Sequence, residues 1–531
     1  MIENLVIGSG PSGYAGALAF CRRQERVCVL DVGYEPKREP TVEENLYTYC
    51  QNNDVFNLLV GEDYSGLGGR LEQSGSRPAK LNSPRMEFIN RGVQKWQPVE
   101  GAGFKPVQSL AKGGLANAWG AGLYEFTERD LRGFPIRRSD LAPYYSFLTS
   151  HIGISGAHDD LQSEFGHTEN LQESVKLSRK ADCLLRRYEK RKAWMHRKGI
   201  RVGRPRLGVL TSPKDGRSAC RYDNLEFWEP ELQCIFNPRH AFERLQGDSN
   251  LDYRSAHLVQ AYRYLVSENA YQVNGLRIDT GETFSIKCRR IFLAAGSINS
   301  AKIVLQSRHD YNSELPLLDN TAVQLPLVFP GFVGSQLETS CFGLTQLNVV
   351  CERGLDELPM QGSFLEITSP SRSEFFTNFP VSARSTLAFM RSLLPGMLVL
   401  QMFEPQCPGQ GGRMSLKESG ELKIVQERQA FSGAALRQLT GALLRLGILT
   451  HELLAVHVEH GQSLHYAGTL GMSYSPSGPY ECDAMARLSG ERAVYVLDGA
   501  NFPELPAKNY SLTMMANAMR IVDSSLKGSQ Q

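Results

Sequence analysis

Residues 4–13 read Asn-Leu-Val-Ile-Gly-Ser-Gly-Pro-Ser-Gly, and the fold turns on them. Asn4 to Ile7 is a short apolar run of the kind that forms a strand buried on both faces, and it runs straight into the turn Gly8-Ser9-Gly10-Pro11-Ser12-Gly13. Gly8 can take the tight backbone conformation that leaves the strand. Gly10 lets the main chain approach a pyrophosphate, and Gly13 lets the following helix lie close to the strand. That helix is expected from about Pro11 to Gln24, with small residues (Ala15, Gly16, Ala17, Ala19) where it packs and Pro11 near its start, where no hydrogen bond is sacrificed. Its N-terminus offers free N–H groups and a positive dipole end to phosphates. A second strand, Val27 to Leu30, ends at Asp31, whose carboxylate can accept hydrogen bonds from ribose hydroxyls and disfavours a 2′-phosphate. Strand, glycine turn, helix, strand and terminal acid together predict a dinucleotide site, FAD or NAD, contacted by Gly8, Gly10, Ser12, Gly13 and Asp31.

At 531 residues with a formal net charge of +2, the chain can bury a large core in about two or three domains, and no global charge points to nucleic acid. The eleven cysteines are scattered, odd in number and contain no C-x-x-C pair, which argues against a disulfide framework and against zinc or iron–sulfur; no metal site is expected. The longest hydrophobic candidate, Ala435 to Val458, is interrupted by Arg437, Arg445, His451 and Glu452, so a core-facing helix is expected and no transmembrane segment. The first strand begins at about residue 3, which leaves no room for a secretory or twin-arginine signal in front of it, so a cytoplasmic setting is expected.

From Tyr34 to Gly69 the sequence is polar and irregular, with Pro36, Pro40 and the cluster Gly66 to Gly69 predicting surface loops. Ser109 to Gly122 then reads Ser-Leu-Ala-Lys-Gly-Gly-Leu-Ala-Asn-Ala-Trp-Gly-Ala-Gly. So many small residues around one Trp predict backbone lying against a flat, bulky object such as a flavin ring. This stretch and the N-terminal turn resemble the glucose-methanol-choline (GMC) family of FAD-dependent oxidoreductases, and Gly113-Gly114-Leu115-Ala116-Asn117-Ala118-Trp119 is similar to the flavin-side motif of its pyranose oxidase branch. In that branch the motif carries a histidine bonded covalently to the flavin. Ala118 stands in its place, so the resemblance implies non-covalent FAD, with Gly113, Gly114 and Asn117 beside it. As a side chain alone, Asn117 reads either as a flavin contact or as a loop cap.

Gly133 to Gly156 continues the likeness, with Ser139 or Asp140 capping an apolar helix that carries the chain out of the FAD part. Lys176 to Arg206 is strongly basic; Arg186, Arg187, Lys190, Arg191, Lys192, Arg197 and Lys198 face only Asp182 and Glu189. Such a run is either a solvated helix face or a dock for an anionic substrate, a partner or a membrane surface. Leu251 to Ala295 alternates like strands: one begins at Ala256 to Val259, Tyr271 to Ile278 and Thr283 to Cys288 form a hairpin about Thr280-Gly281, and Arg290 to Ala294 is another buried strand. Ala294 to Ser300 opens a helix through Gln306. The resemblance implies that Ala295 and Gly296 close the FAD site and that Val259 meets adenine through its backbone. From Tyr311 to Gly461 apolar alternation predicts an antiparallel sheet, for example Met414, Leu416, Leu422 and Ile424 about the turn Ser419-Gly420, with one face placed to roof the flavin and choose the substrate.

The last seventy residues carry the chemistry. Leu464-His465-Tyr466-Ala467-Gly468-Thr469 resembles the C-terminal histidine motif of the family. Asp498-Gly499 ends a buried strand, and Asn509 stands four residues before Thr513, as in the pyranose oxidase pattern. Oxidising an alcohol with a flavin moves a hydride from carbon to N5 and a proton from the hydroxyl to a base. A histidine of near-neutral pKa can take that proton, and an asparagine can hold the oxygen without competing for it. His465 is therefore the expected base and Asn509 the expected partner of the substrate oxygen. Thr513 begins a helix whose N-terminus would face the flavin pyrimidine, and Asp498 and Gly499 would meet the ribityl or pyrophosphate region.

The expected fold is α/β: a Rossmann-like FAD-binding domain interleaved with a substrate domain built on an antiparallel sheet with helices. The FAD part takes residues 1–150, 236–310 and 460–531, and the substrate part 151–235 and 311–459. The expected function is FAD-dependent oxidation of a CH–OH group, a secondary hydroxyl of a sugar or glycoside, with the basic run extending the choice to an anionic or lipid-linked alcohol. Oxygen and other electron acceptors stay open. The competing readings are a non-sugar alcohol and a redox-neutral lyase that keeps FAD as structure.

Overall fold

A computed structural model describes residues 1–37, 42–54, 58–59, 61, 81, 83–166, 168–226, 228–354, 356–367 and 382–527. Strand Ile2–Ile7, helix Pro11–Arg22 and strand Val27–Leu30 form the expected opening unit. The two strands are parallel, with Leu5 against Cys28 and Ile7 against Leu30. They lie inside a seven-stranded sheet in the order Leu251–Arg254, Val27–Leu30, Ile2–Ile7, Thr283–Leu293, Ala270–Arg277, His257–Leu265, with Val494–Val496 also on Thr283–Leu293. Its parallel centre is buried on both faces, which is why Leu5, Val6, Val29, Leu30, Ile291 and Phe292 are fully enclosed.

The hairpin strand Thr283–Cys288 and the buried strand Arg290–Ala294 are one element, Thr283–Leu293. Its first half alternates between exposed and half-buried side chains and pairs antiparallel with Ala270–Arg277; its second half is a buried apolar run parallel to Ile2–Ile7 and Val494–Val496. The change of pattern marks a change of neighbours and leaves the strand unbroken. The expected loop from Tyr34 to Gly69 lies partly outside the described residues, Pro40 and Gly66 to Gly69 among them. Within the described part Leu46–Asn52 is helical, its N-terminus capped by Asn45 Oδ1, which accepts from the Tyr47 N–H at 3.0 Å, and Leu46 is buried near Trp228.

A second, six-stranded sheet is antiparallel throughout, in the order Val456–His457, Ala322–Val328, Met397–Phe403, Met360–Leu365, Thr345–Cys351, Ile200–Gly203. Helices Arg179–Arg197 and Gly433–Arg445 bury Leu184, Tyr188, Leu439 and Leu443 in one core with it. The second helix stops at Arg445, so the apolar stretch Ala435 to Val458 is a helix, a loop and an edge strand. No helix among the described residues is long and apolar enough to cross a membrane.

The hairpin Gly412–Leu416 with Leu422–Val425 pairs as expected, Met414 opposite Ile424 and Leu416 opposite Leu422. It belongs to a third sheet, ordered Tyr466–Ala467, Leu315–Asp319, Gly412–Leu416, Leu422–Val425, Val99–Ala102. Its apolar side chains share the core of the first sheet, because Leu315, Leu317 and Met414 pack in one cluster with Ile303 and Val304 of helix Ser297–Arg308. This third sheet fixes Tyr466, next to the expected base, against Asp319.

Candidate active site

The three turn glycines do three different jobs. Gly8 has φ +105°, and a Cβ there would stand 2.4 Å from Ala294 O; at Gly13 it would stand 2.0 Å from Gly8 O. Both positions are closed by the protein's own backbone. At Gly10 a Cβ would meet nothing within 4 Å, so the space above it is open to a ligand, and the N-terminus of helix Pro11–Arg22 faces that space with no side-chain cap. Ser12 is buried in the first turn of this helix. Asp31 Oδ2 accepts from Ser9 Oγ and from Tyr253 OH at 3.0 Å. Burial raises the Asp31 carboxyl to a pKa of about 6.

Ser9 also accepts from the Gly113 N–H at 2.9 Å and so ties the first turn to the second glycine motif. Gly113 (φ +85°) and Gly114 (φ +60°) need glycine for their backbone conformation. The crowding expected from a flavin comes at some positions from protein: a Cβ at Gly113 would stand 2.8 Å from Arg239 N, and one at Gly122 3.1 Å from Asn509 Cγ. Asn117 caps its loop. Its Nδ2 donates to Lys112 O at 2.9 Å and Gly114 O at 2.8 Å, and its Oδ1 accepts from Asn237 Nδ2 at 2.8 Å, so the whole amide is engaged. Ala118 offers no nucleophile for a covalent link. Val259 pairs with Gly275 at a bulge that disturbs the strand before Ala261. Ala295 N–H donates to Ser300 Oγ at 3.2 Å, and Gly296, at φ +88°, has open space where a Cβ would lie.

Asp498 staples two of these turns. Its Oδ2 accepts from the Gly296 N–H at 2.9 Å and from Ser300 Oγ at 2.5 Å, and its Oδ1 accepts from the Ala500 N–H at 2.9 Å. With both oxygens occupied, its side chain holds the walls of the site, and Gly499 beside it is confined by Tyr466 O, 2.9 Å from a would-be Cβ. The carboxyl is raised to about 6 by burial.

His465 follows Leu464, a residue at φ +63° that costs about 1 kcal/mol or more to hold in the left-handed region. Asp319, fully buried at the end of strand Leu315–Asp319, supplies the restraint. It accepts from Ser463 Oγ, from the Gly461 N–H at 2.9 Å and from His460 Nδ1 at 3.2 Å; Ser463 Oγ in turn accepts from the His465 N–H at 3.0 Å. The imidazole Nδ1 lies 3.0 Å from Asn320 Oδ1. The Asn320 Nδ2 donates to Glu404 O at 2.8 Å, with Leu505 O and Pro506 O at 3.4 Å, so the oxygen is the atom that faces the histidine. Nδ1 therefore carries the hydrogen and Nε2 the lone pair, and Nε2 has no protein hydrogen-bond partner among the described residues. Burial lowers the His465 pKa to about 4.

His465 and Asn509 are joined through Tyr510. Its ring meets the imidazole edge-on at 5.7 Å between centroids, and its OH donates to Tyr466 O at 3.0 Å. Asn509 itself has no hydrogen-bond partner among the described residues and is placed by Lys508, whose Nζ forms a buried pair with Asp130 and donates to Glu164 O at 2.6 Å. The helix expected to begin at Thr513 begins at Ser511, and Thr513 Oγ1 is 2.8 Å from Tyr145 OH and accepts from the Phe126 N–H at 3.1 Å, inside the core. Ser9, Tyr253, Asp319, Asn320 and Lys508 hold the candidate site residues in place, and the sequence alone assigns none of them a role. The signal for Asp319-Asn320 was a polar pair ending an apolar strand.

Residues 449–518, which include His465, Asp498, Asn509 and Thr513, match the family model described as GMC oxidoreductase. Among solved structures the fold is similar to that of pyridoxine 4-oxidase from Mesorbium loti, with a TM-score of 0.59, 14% sequence identity and 99% of each chain covered. No curated protein matches the chain in sequence. The structural likeness bears out the mixed α/β fold expected from the sequence. The family match makes the C-terminal segment an oxidoreductase domain of the kind that uses FAD and acts on CH–OH donors.

Proposed function

We propose that this protein oxidises a secondary hydroxyl of a sugar or glycoside, with His465 as the base and Asn509 as the partner of the substrate oxygen. The observation that carries this reading is the state of His465: Nδ1 is tied to Asn320, Nε2 is open, and the ring is uncharged at neutral pH because burial holds its pKa near 4. An imidazole in that state can take the hydroxyl proton at Nε2 while its ring cannot rotate away. The partnerless amide of Asn509 can donate to the same oxygen. FAD, when bound, supplies the acceptor for the hydride.

The residues fit that cofactor. The open face over Gly10 and the uncapped helix N-terminus suit a pyrophosphate, Asp31 at the end of its strand suits a ribose, and the space at Gly296 adjoins Ser297, whose Oγ donates to Tyr466 O at 2.7 Å beside the histidine. Non-covalent binding follows from Ala118. In this reading residues 1–150, 236–310 and 460–531 hold FAD, and 151–235 with 311–459 shape the substrate side. The lean towards sugars rests on the pairing of His465 with Asn509, as in the pyranose oxidase branch. A second reading, an aromatic alcohol, is favoured by Phe403, 4.8 Å from the His465 ring, together with Tyr510.

The test is an anaerobic absorbance titration of the FAD-loaded protein with sugars, glycosides, pyridoxine and simple benzylic alcohols, followed by air. Bleaching by a sugar supports the proposal, and bleaching only by aromatic alcohols moves it to the second reading. A flavin bleached by none, with a product released unoxidised, would mark a redox-neutral lyase and overturn both. The speed of recolouring in air identifies oxygen or another compound as the electron acceptor.

A further inference from the structure

Of the fourteen exposed large apolar side chains among the described residues, eight lie along one edge of the six-stranded sheet. The edge is continuous. At the end of strand Ala322–Val328, Val328 exchanges hydrogen bonds with Leu449 at 2.9 and 2.8 Å, and the Phe329 N–H donates to Gly396 O at 2.8 Å. The next turn, Pro330–Phe332, leads to Gly334, whose N–H donates to Ser392 O at 2.7 Å on helix Ala383–Leu393. Val333, Leu387 and Phe389 are exposed on that side. On the other, Leu449 leads to the turn Glu452–Leu454, where Leu453 is 86% exposed, and to Val456 on the edge strand.

A basic helix reaches this edge from across the sheet, where it packs on the far strands Thr345–Cys351 and Ile200–Gly203. Helix Arg179–Arg197 carries eight Lys and Arg against Asp182 and Glu189, in a chain of net charge +2. It buries Ala181, Leu184, Tyr188 and Met195 against the sheet and turns Arg186, Lys190 and Arg191 outward. Arg186 pairs with Asp182, while Lys190 and Arg191 have no carboxylate partner among the described residues. The helix is joined to the apolar edge at two points. Arg179 lies 6.0 Å from the Phe332 ring centroid, and Arg187 Nη1 donates to Leu446 O and Gly447 O at 3.0 Å. Arg384, Arg391 and Arg445 add exposed cations.

We propose that this edge docks on an anionic lipid surface, its exposed leucines entering the headgroup boundary while the helix cations meet lipid phosphates. Single apolar side chains standing out from turns, bordered by unpaired cations, suit an interface with one polar and one apolar layer. A second copy is disfavoured because a two-fold contact through this edge would set the cationic helices against each other. The docking is independent of the oxidation proposed above and leaves the site at His465 intact.

The experiment is sedimentation of the FAD-loaded protein with vesicles of phosphatidylcholine alone, or with about one-third phosphatidylglycerol, at low and high salt. The expected result is at least about tenfold more binding to the anionic vesicles, lost at high salt. Arg186→Glu/Lys190→Glu/Arg191→Glu and, separately, Leu453→Ser/Leu454→Ser/Val456→Ser should each lower that binding by about tenfold or more, with the circular dichroism spectrum and flavin content unchanged. Equal partition to both vesicle types, no binding to either, or variants that bind like the parent would overturn the proposal. A dimer in analytical ultracentrifugation that the Leu453 variant dissociates would also overturn it, in favour of a second copy.

Discussion

Asn320 Oδ1 stands 3.0 Å from His465 Nδ1, and that contact decides which nitrogen of the imidazole is the base. Replacing Asn320 by Leu removes the acceptor, frees the ring to take the other tautomer and should slow flavin reduction by about 10–100-fold with flavin content unchanged. Asn320→Asp should act differently. A carboxylate at that place favours the imidazolium, so the acid limb of the rate profile should move to higher pH. Stopped-flow reduction across pH distinguishes this positioning role from a packing defect, which would move no limb.

His465→Ala should retain FAD and lose flavin reduction by substrate by about 10²–10⁴-fold. In the parent protein the neutral imidazole persists down to its pKa of about 4, so reduction should stay level through the ordinary histidine range and fall only as the pH drops through about 4. The depressed pKa also bears on stability. The unfolded chain takes this proton at about pH 6.5 and the folded chain at about 4, so the contribution is present above the unfolded value and is lost as the pH falls through that window.

Gly10 and Gly13 should separate cofactor binding from folding. Gly10→Ala puts a methyl group into space that the protein leaves open, so the apoprotein should melt as the parent does while flavin occupancy falls. Gly13→Ala drives a Cβ to 2.0 Å from Gly8 O and should lower the melting temperature even without FAD. Flavin absorbance and apoprotein thermal melts read the two effects independently.

The Lys508–Asp130 pair is buried, and Asp130 Oδ2 also accepts from the Thr127 N–H at 2.7 Å. Lys508→Met leaves a buried carboxylate uncompensated and should cost about 3–5 kcal/mol in urea unfolding, with Asn509 displaced and substrate affinity reduced. Lys508→Met/Asp130→Asn should recover most of the stability. A single variant as stable as the parent would show that the pair carries little of the fold.

The N-terminal unit was legible because each of its residues answers a local demand. Gly8, Gly10 and Gly13 are fixed by backbone approach within a few residues, and Asp31 by the end of its own strand. The basic helix was visible as composition. What stayed hidden depends on distant partners. Nothing local to Leu315–Asp319 reveals that Asn320 will face a histidine 145 residues later. The apolar half of Thr283–Leu293 read as a separate strand because its neighbours come from opposite ends of the chain. At Asn117 the loop cap is completed by Asn237, supplied by another segment, which occupies its oxygen and has no signal near residue 117.

The third sheet joins Val99–Ala102 in parallel to Leu422–Val425 and Tyr466–Ala467 to Leu315–Asp319. Its edges cannot all be matched until residue 467 has been made, so the histidine loop and its restraint by Asp319 wait on strands far apart in the chain. Pairings so far apart in sequence make for slow folding and leave unpaired strands waiting in the meantime. Val425, still 42% exposed in the finished protein, marks the strand most in need of protection during that wait. The nucleotide turns wait on the same late strands: Asp498 reaches Gly296 and Ser300 only once Val494–Val496 has joined the first sheet, so cradle and histidine loop are completed together.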